Sequence, residues 1–205
     1  WVDATEYLPV HGDDKPFNPT HIIEIAGRHI LFGGNYFASR LTDGRCWLIW
    51  DKNNTGKFAD AELAWTDIDS GVKLYRHTWN GLVREGVRAE ELVKRVHPTQ
   101  KPVGLFAAIL FDFSEPGDVV CDPYLGSGTT LIACEKTRSP CLAMEIEPHY
   151  VDVAIKRWQN FTGKRATLEG DGRTFQEVTD ERTQAHSDHA QARIRDPAQA
   201  PREPG

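Results

Sequence analysis

The 205-residue chain contains a single methionine, Met144, and begins at Trp1, so its natural start is expected to lie further upstream. No basic stretch followed by an apolar one marks a secretory leader. Apolar runs such as Cys46-Trp47-Leu48-Ile49-Trp50 are strand-sized, well short of the ~20 residues that cross a membrane. The four cysteines (Cys46, Cys121, Cys134, Cys141) make no CxxC pair and no zinc-type His/Cys spacing. Packed, reduced thiols in a cytoplasmic chain without a metal are therefore expected. There is no GKT or GKS run, hence no lysine of a phosphate-cradling loop, and no two of the twelve prolines are adjacent. What remains is ordinary for one globular domain: 40% hydrophobic residues, 26% charged residues and a net charge of −6.

Three regions separate by pattern. Between residues 96 and 171, predicted helices at 102–113, 129–136 and 149–161 alternate with predicted strands at 119–122, 141–145 and 165–169, an α/β arrangement. Leu105, Phe106, Ile109, Leu110 and Phe113 recur at the spacing of one helix face. Val119-Val120-Cys121-Asp122 is apolar up to its carboxylate, the pattern of a strand buried on both faces. Residues 1–95 are less regular, with strands predicted at 29–34, 46–50 and 62–65. From Val72 to Lys101, seven basic residues oppose three acidic ones, which concentrates positive field in an otherwise acidic chain, as a reader of polyanions would. Residues 175–205 hold only Phe175, Val178 and Ile194 as sizeable apolar groups. That is too little to offset the ordering entropy, and a disordered or loosely helical tail is predicted.

The densest signal is Asp122-Pro123-Tyr124-Leu125-Gly126-Ser127-Gly128-Thr129-Thr130, at a predicted strand-to-helix junction. Gly126 and Gly128 let the backbone turn and approach a ligand, with the N–H groups of the following helix facing it. A plain tight turn would use the same residues. Glu145 ends the next predicted strand, 17 residues beyond Gly128, where a carboxylate can accept from both hydroxyls of a ribose. It could equally cap the helix that starts near Pro148. Together, and without the phosphate lysine, these features favour an adenosine-type ligand that carries no triphosphate.

This stretch resembles the S-adenosylmethionine motif of the amino-group DNA methyltransferases, which modify adenine N6 or cytosine N4. His97-Pro98-Thr99-Gln100-Lys101-Pro102 is similar to the segment before that motif in the circularly permuted members, whose cofactor half follows the catalytic half. Glu145-Ile146-Glu147-Pro148-His149-Tyr150 resembles their ribose-binding strand end. Gly12-Asp13-Asp14-Lys15-Pro16-Phe17, Gly33-Gly34-Asn35-Tyr36-Phe37 and Trp47-Leu48-Ile49-Trp50-Asp51-Lys52 resemble phage-type members. The likeness implies a Rossmann-like α/β methyltransferase sheet over residues 1–174. Within it, 1–71 would be the remainder of the catalytic half, 72–95 a target-recognition segment and 96–174 the cofactor half.

It further implies that Asp122, Tyr124, Gly126, Ser127, Gly128 and Thr129 surround S-adenosylmethionine. Glu145 would take its ribose, Thr99 and Lys101 would lie near its methionine carboxylate, and Asp171 near its adenine. Arg76, Arg84, Arg88 and Lys94 would meet double-stranded DNA. Alternatively, Arg84, Glu85, Arg88 and Glu91 form a solvated helix face with i,i+3 and i,i+4 pairs. No membrane partner is implied, and a homodimer is left open.

One departure matters. The family binds the target amine with an Asp/Asn/Ser-Pro-Pro-aromatic loop, whose ring stacks on the flipped base. This chain has no Pro-Pro, so no catalytic residue is assigned. In the permuted order that loop and its strand would precede Trp1. A central strand is therefore expected to be missing between the cofactor strand and the strand at Ile30, through N-terminal truncation. The gap would be covered by residues 1–7, or the chain would be poorly stable. The leading expectation is a restriction-modification type methyltransferase, adenine N6 ahead of cytosine N4. A non-catalytic remnant that binds S-adenosylmethionine and DNA, and a methyltransferase for another substrate, are the alternatives.

Overall fold

The computed structural model describes residues 12, 14–54, 59–80, 83–84 and 100–195. The chain divides into two compact units, Trp1–Phe161 and Thr162–Gly205. Among the described residues no helix is long and apolar enough to cross a membrane.

In the first unit a short helix α1 (Thr20–Ile23) leads to β1 (Ile30–Phe32), β2 (Trp47–Asp51), β3 (Ala61–Thr66) and β4 (Lys73–Arg76), which form a sheet in the order β1-β3-β2-β4. The β1–β3 and β2–β3 pairs are antiparallel; β2 and β4 are parallel, with Ile49 opposite Leu74. Strand β2 alternates as its sequence demands, with Leu48 and Trp50 buried and Trp47, Ile49 and Asp51 half-buried. The indole N–H groups of Trp50 and Trp65 donate to the carbonyls of His77 (2.9 Å) and Thr42 (3.1 Å), so neither ring is buried with an unmet donor. Strands β5 (Trp79–Asn80) and β6 (Val83–Arg84) form a separate antiparallel pair. Lys73–Arg76, expected to open the recognition segment, is thus a strand of the main sheet. Arg84 lies in a strand, which corrects the helical-face reading at that residue; residues 85–99 are outside the described ones.

Helix α2 (Val103–Phe113) covers the sheet. Its Leu105 and Ile109 join Cys46, Leu48, Trp50 and Ala64 in one core cluster, and Phe106 stacks on Phe32 with ring centroids 5.2 Å apart. Val103 on the same helix packs with Ile132 and Ala133 of α3 (Thr129–Thr137). Around α3 lies the expected α/β repeat: β7 (Val120–Asp122), α3, then β8 (Cys141–Ala143), parallel to β7 with Cys121 opposite Leu142, followed by α4 (Pro148–Thr162). The Rossmann-like α/β class is borne out, with the sheet only partly formed. Strand β7, expected to be buried on both faces, is not: Cys121 is exposed and its neighbours half-buried. The reason is that among the described residues β7 pairs with β8 alone.

The sheet is in two pieces, and the gap between them has a definite form. A cavity of about 640 Å³ is lined by consecutive residues 28–32 on one side and 118–125 on the other, over Phe106, Ile109 and Phe113 of α2. At one end, Arg28 just before β1 pairs with Asp118 just before β7 (2.6 Å). At the other, Phe17 makes edge contacts with Phe37, beyond β1 (5.1 Å), and with Tyr124, beyond β7 (5.8 Å). Strands β1 and β7 therefore run the same way, each with one edge unpaired among the described residues. His29, in the lining, gives its Nδ1 to Asp67 (2.6 Å), while its buried Nε2 has no hydrogen-bond partner there. The gap falls where a missing strand is expected. Residues 1–7, expected to cover it, lie outside the described ones.

In the second unit, residues 165–169 do not form the expected third strand. Only an isolated antiparallel bridge joins Thr167 to Thr174, across a turn in which Leu168 N–H donates to Arg173 O (2.7 Å) and Gly172 N–H to Leu168 O (3.0 Å). Nor is the tail disordered throughout, because α5 spans Phe175–Arg195. Its start is held by a reciprocal cap: Thr174 N–H donates to Glu177 Oε2 (2.7 Å) and Glu177 N–H to Thr174 Oγ1 (3.3 Å). Local capping and polar i,i+4 contacts such as Gln176–Asp180 (2.7 Å) hold this helix, the helical one of the two expected states, although it has few apolar residues to bury. Residues 196–205 are outside the described ones.

Candidate functional site

Loop 123–128 joins the carboxyl end of β7 to α3. Tyr124 N–H donates to Asp122 Oδ1 (3.0 Å), an Asx turn that starts the loop. Leu125 N–H then donates to the Met144 carbonyl (3.0 Å) and Gly128 N–H to the Leu125 carbonyl (3.1 Å). Gly126 (φ +55°) and Gly128 (φ +86°) occupy the left-handed region, and a Cβ on Gly128 would lie 3.0 Å from the Cβ of Ala154 on α4. Glycine is required there twice over, by conformation and by space.

Glu145, just past β8, holds the loop from the other strand. Its Oε2 accepts from Gly126 N–H (2.7 Å) and its Oε1 from Glu147 N–H (2.9 Å). Each oxygen keeps a second lone pair, so two further donors can be received. Burial pushes the nearby Asp122 carboxyl up, and the charge of Glu145 adds to this, against hydrogen bonds from Thr130 and Tyr124 N–H. Two carboxylates thus stand at the mouth of an α-helix whose N-terminal dipole favours negative charge. Thr129 Oγ1 donates to the Lys101 carbonyl (3.0 Å), which fixes the first turn of α3 to the segment before α2.

Of the residues singled out from sequence, Lys101, Asp122, Tyr124, Ser127 and Thr129 line the one cavity between β1 and β7, and Glu145 joins them through Gly126. Lys101 Nζ is 3.3 Å from Glu62 Oε2, and Lys52 Nζ is 2.7 Å from Glu62 Oε1. Burial works to raise the Glu62 carboxyl, yet the two lysines outweigh it and hold it below its ordinary value. Asp171 belongs to the second unit, where Arg173 N–H donates to its Oδ1 (2.9 Å). Arg76 is exposed, with its Nε 3.2 Å from Asp51 Oδ2. Thr99, Arg88, Lys94 and the side chain of Arg84 are outside the described residues.

Three participants were not read from the sequence. Arg157 of α4 donates from one nitrogen to both the Ser127 carbonyl (2.5 Å) and the Ser127 Oγ (2.9 Å). His21 Nε2 lies 2.7 Å from the Tyr124 hydroxyl, and Glu62 clamps two lysines. For Arg157 a signal existed: Tyr150 and Ala154 are the buried residues of α4, and Arg157 follows at the spacing of that same face.

A family model described as DNA methylase, of the N6/N4 methyltransferase type, matches residues 45–156, more than half of the chain. The chain belongs to this DNA methylase family. The type II methyltransferase M.HinfI of Haemophilus influenzae is 39% identical over 74 residues, 36% of this chain and 20% of that protein. M.HpaI of Haemophilus parainfluenzae is 34% identical over 64 residues, 31% of this chain and again 20% of that protein. The match therefore spans about a fifth of the length of either relative. Among solved structures, that of M1.HpyAVI in complex with SAM aligns over 64% of this DNA methylase chain and 74% of its own, at 25% identity and a TM-score of 0.45.

Proposed function

We propose that this chain is the cofactor half, with much of the core sheet, of an enzyme that methylates DNA from S-adenosylmethionine. The acceptor is the exocyclic amine of a flipped base, adenine N6 being set ahead of cytosine N4 on family frequency alone. The observation that carries this is loop 123–128 at the carboxyl end of β7, clamped by Glu145 through Gly126 N–H (2.7 Å), in a chain of the DNA methylase family.

The residues present fit such a cofactor. S-adenosylmethionine supplies a methyl group made electrophilic by its sulfonium sulfur. Glu145 has one lone pair left on each oxygen for the two ribose hydroxyls. Gly126, Ser127, Gly128 and Thr129 bring backbone to the ligand where side chains would exclude it, and the α3 N-terminus offers N–H groups to its carboxylate, near Thr99 and Lys101. Asp122 and Tyr124 border the adenosyl part, and Asp171 is proposed for the adenine. The basic residues Arg76, Arg84, Arg88 and Lys94 are proposed to meet DNA phosphates, in the cytoplasm.

The amine-binding tetrapeptide is proposed to arrive on a strand from outside the described residues that enters the gap between β1 and β7. Two parallel strand edges and the orphaned Nε2 of His29 support this. A strand lying about 4.8 Å from each edge would make one sheet of the two pieces. The absence of any Pro-Pro in these 205 residues favours, as a second reading, a remnant that binds cofactor and DNA without methylating.

The test is calorimetric titration of S-adenosylmethionine into the full-length protein, followed by transfer of tritiated methyl to DNA and identification of the modified base. Saturable binding lost in Glu145→Ala, with label on DNA, is the expected result. Binding without transfer selects the remnant. No binding to folded protein overturns the proposal.

A further inference from the structure

Loop 125–128 has two left-handed glycines within four residues, so its shape is not set by its own backbone preferences and must be imposed from outside. Glu145 supplies one constraint, on Gly126. The other comes from α4, which touches the loop at two points one helical turn apart. Ala154 leaves room at Gly128 for a hydrogen and nothing more, since a Cβ there would meet its Cβ at 3.0 Å and its Cα at 3.1 Å. Arg157, three residues on, donates to the Ser127 carbonyl (2.5 Å) and Oγ (2.9 Å). Ser127 is buried, so its carbonyl has little access to water as an alternative acceptor partner.

The consequence follows from peptide planarity. In a trans peptide the N–H points opposite to the C=O. With the Ser127 carbonyl turned onto the guanidinium of α4, the N–H of Gly128 is turned away from α4, where it meets the Leu125 carbonyl at 3.1 Å. One cationic side chain thereby sets the rotation of the peptide between the last two residues before α3. The helix that carries it is itself fixed to α3, because Trp158 Nε1 donates to Glu135 Oε1 (2.9 Å).

We propose that Arg157 is a positioning residue that holds loop 125–128 in its ligand-receiving shape. It touches neither the proposed cofactor nor the acceptor, and acts through Ser127. The consequence for ligand affinity rests on the S-adenosylmethionine reading above; the consequence for loop order does not.

Two measurements on the full-length protein test this. In hydrogen exchange without ligand, Arg157→Ala raises exchange at the amides of residues 125–128 while those in the centre of α3 stay protected. Unchanged loop exchange overturns the proposal whatever the ligand. In titration with S-adenosylmethionine, Arg157→Ala weakens binding about tenfold to a hundredfold, the range of a lost charge-assisted hydrogen bond. Arg157→Lys recovers most of it, because an ammonium can still reach one acceptor. Ser127→Ala costs about threefold or less, since the carbonyl remains. The loss is expected in KM for the methyl donor with kcat held within about twofold. A lower melting temperature with unaltered affinity, or no rescue by lysine, makes Arg157 a stability residue only and overturns the proposal. If the wild-type protein binds no S-adenosylmethionine, the affinity claim falls with the reading it rests on, and the exchange result decides the rest.

Discussion

The four-stranded sheet and the two-stranded ribbon β7–β8 come from one chain and are joined through helices, α2 packing on the sheet and on α3, and α3 on β8, yet they solve burial differently. In the sheet, Leu48 and Trp65 are each 1% exposed, and strand β2 has partners on both edges. In the ribbon and at its ends, Val119 just before β7 is 61%, Leu142 in β8 63% and Ile146 just after β8 76% exposed. Both segments carry strand-forming apolar residues, so composition does not separate them. What separates them is neighbours: an apolar run becomes core only when strands on both edges and layers on both faces are present. The ribbon carries the glycine loop, so the candidate site lies beside the less complete piece of the sheet.

The largest expected effect breaks the comparison on the sheet side. Trp50→Ala removes a fully buried indole and its bond to His77, and a loss of about 3–5 kcal/mol is expected in denaturant unfolding followed by fluorescence. Next is Gly128→Ala on the ribbon side. The φ of +86° and the 3.0 Å approach to Ala154 lead to an expected cost of about 1–3 kcal/mol. It is also expected to abolish S-adenosylmethionine binding, while Gly71→Ala does neither, because Gly71 is exposed outside the left-handed region and a Cβ there would meet nothing within 4 Å.

The regions also differ in how far the sequence disclosed them. Helices α2, α3 and α4 and strands β2, β3, β7 and β8 were legible because each has its own periodic or apolar pattern within a few residues of the observed ends. The glycine loop and Glu145 were legible because turn chemistry is local. Burial of β7 was misjudged because it depends on a neighbour strand and not on the residues of β7. The third strand at 165–169 gave way to a turn around Gly170 and Gly172, which closes Thr167 onto Thr174 before any sheet partner is reached. The Arg157–Ser127 contact joins positions 30 residues apart and exists only once α4 has docked.

The two regions are expected to respond to acid with opposite sign. Glu62, beside Lys52 and Lys101 at the sheet, has its folded carboxyl held below its ordinary 4.5. Its stabilisation is fully present above about pH 4.5 and is lost as pH falls through the lowered folded value. Asp122, at the end of β7, has its carboxyl raised above 3.8, chiefly by burial. Its ionised form therefore costs stability at neutral pH, and that cost is relieved as pH falls through the raised value towards 3.8. Melting temperature against pH should steepen on the acid side in Asp122→Asn and flatten in Glu62→Gln. The same slope in both variants would remove the contrast.

The smallest expected effect sharpens the comparison most. Leu142 and Ile146 are exposed on and just after β8, and replacing them with threonine should change unfolding free energy by no more than about 0.5 kcal/mol, as surface substitutions do. The same change at Leu48 would bury an unpaired hydroxyl and cost several times more. A near-zero result in the ribbon means that its outer apolar residues face water in the folded protein, so that the ribbon depends on its packing against α3 for its stability. A cost above about 1 kcal/mol means that another surface covers β8 in solution, and the ribbon is then an inner part of a larger sheet.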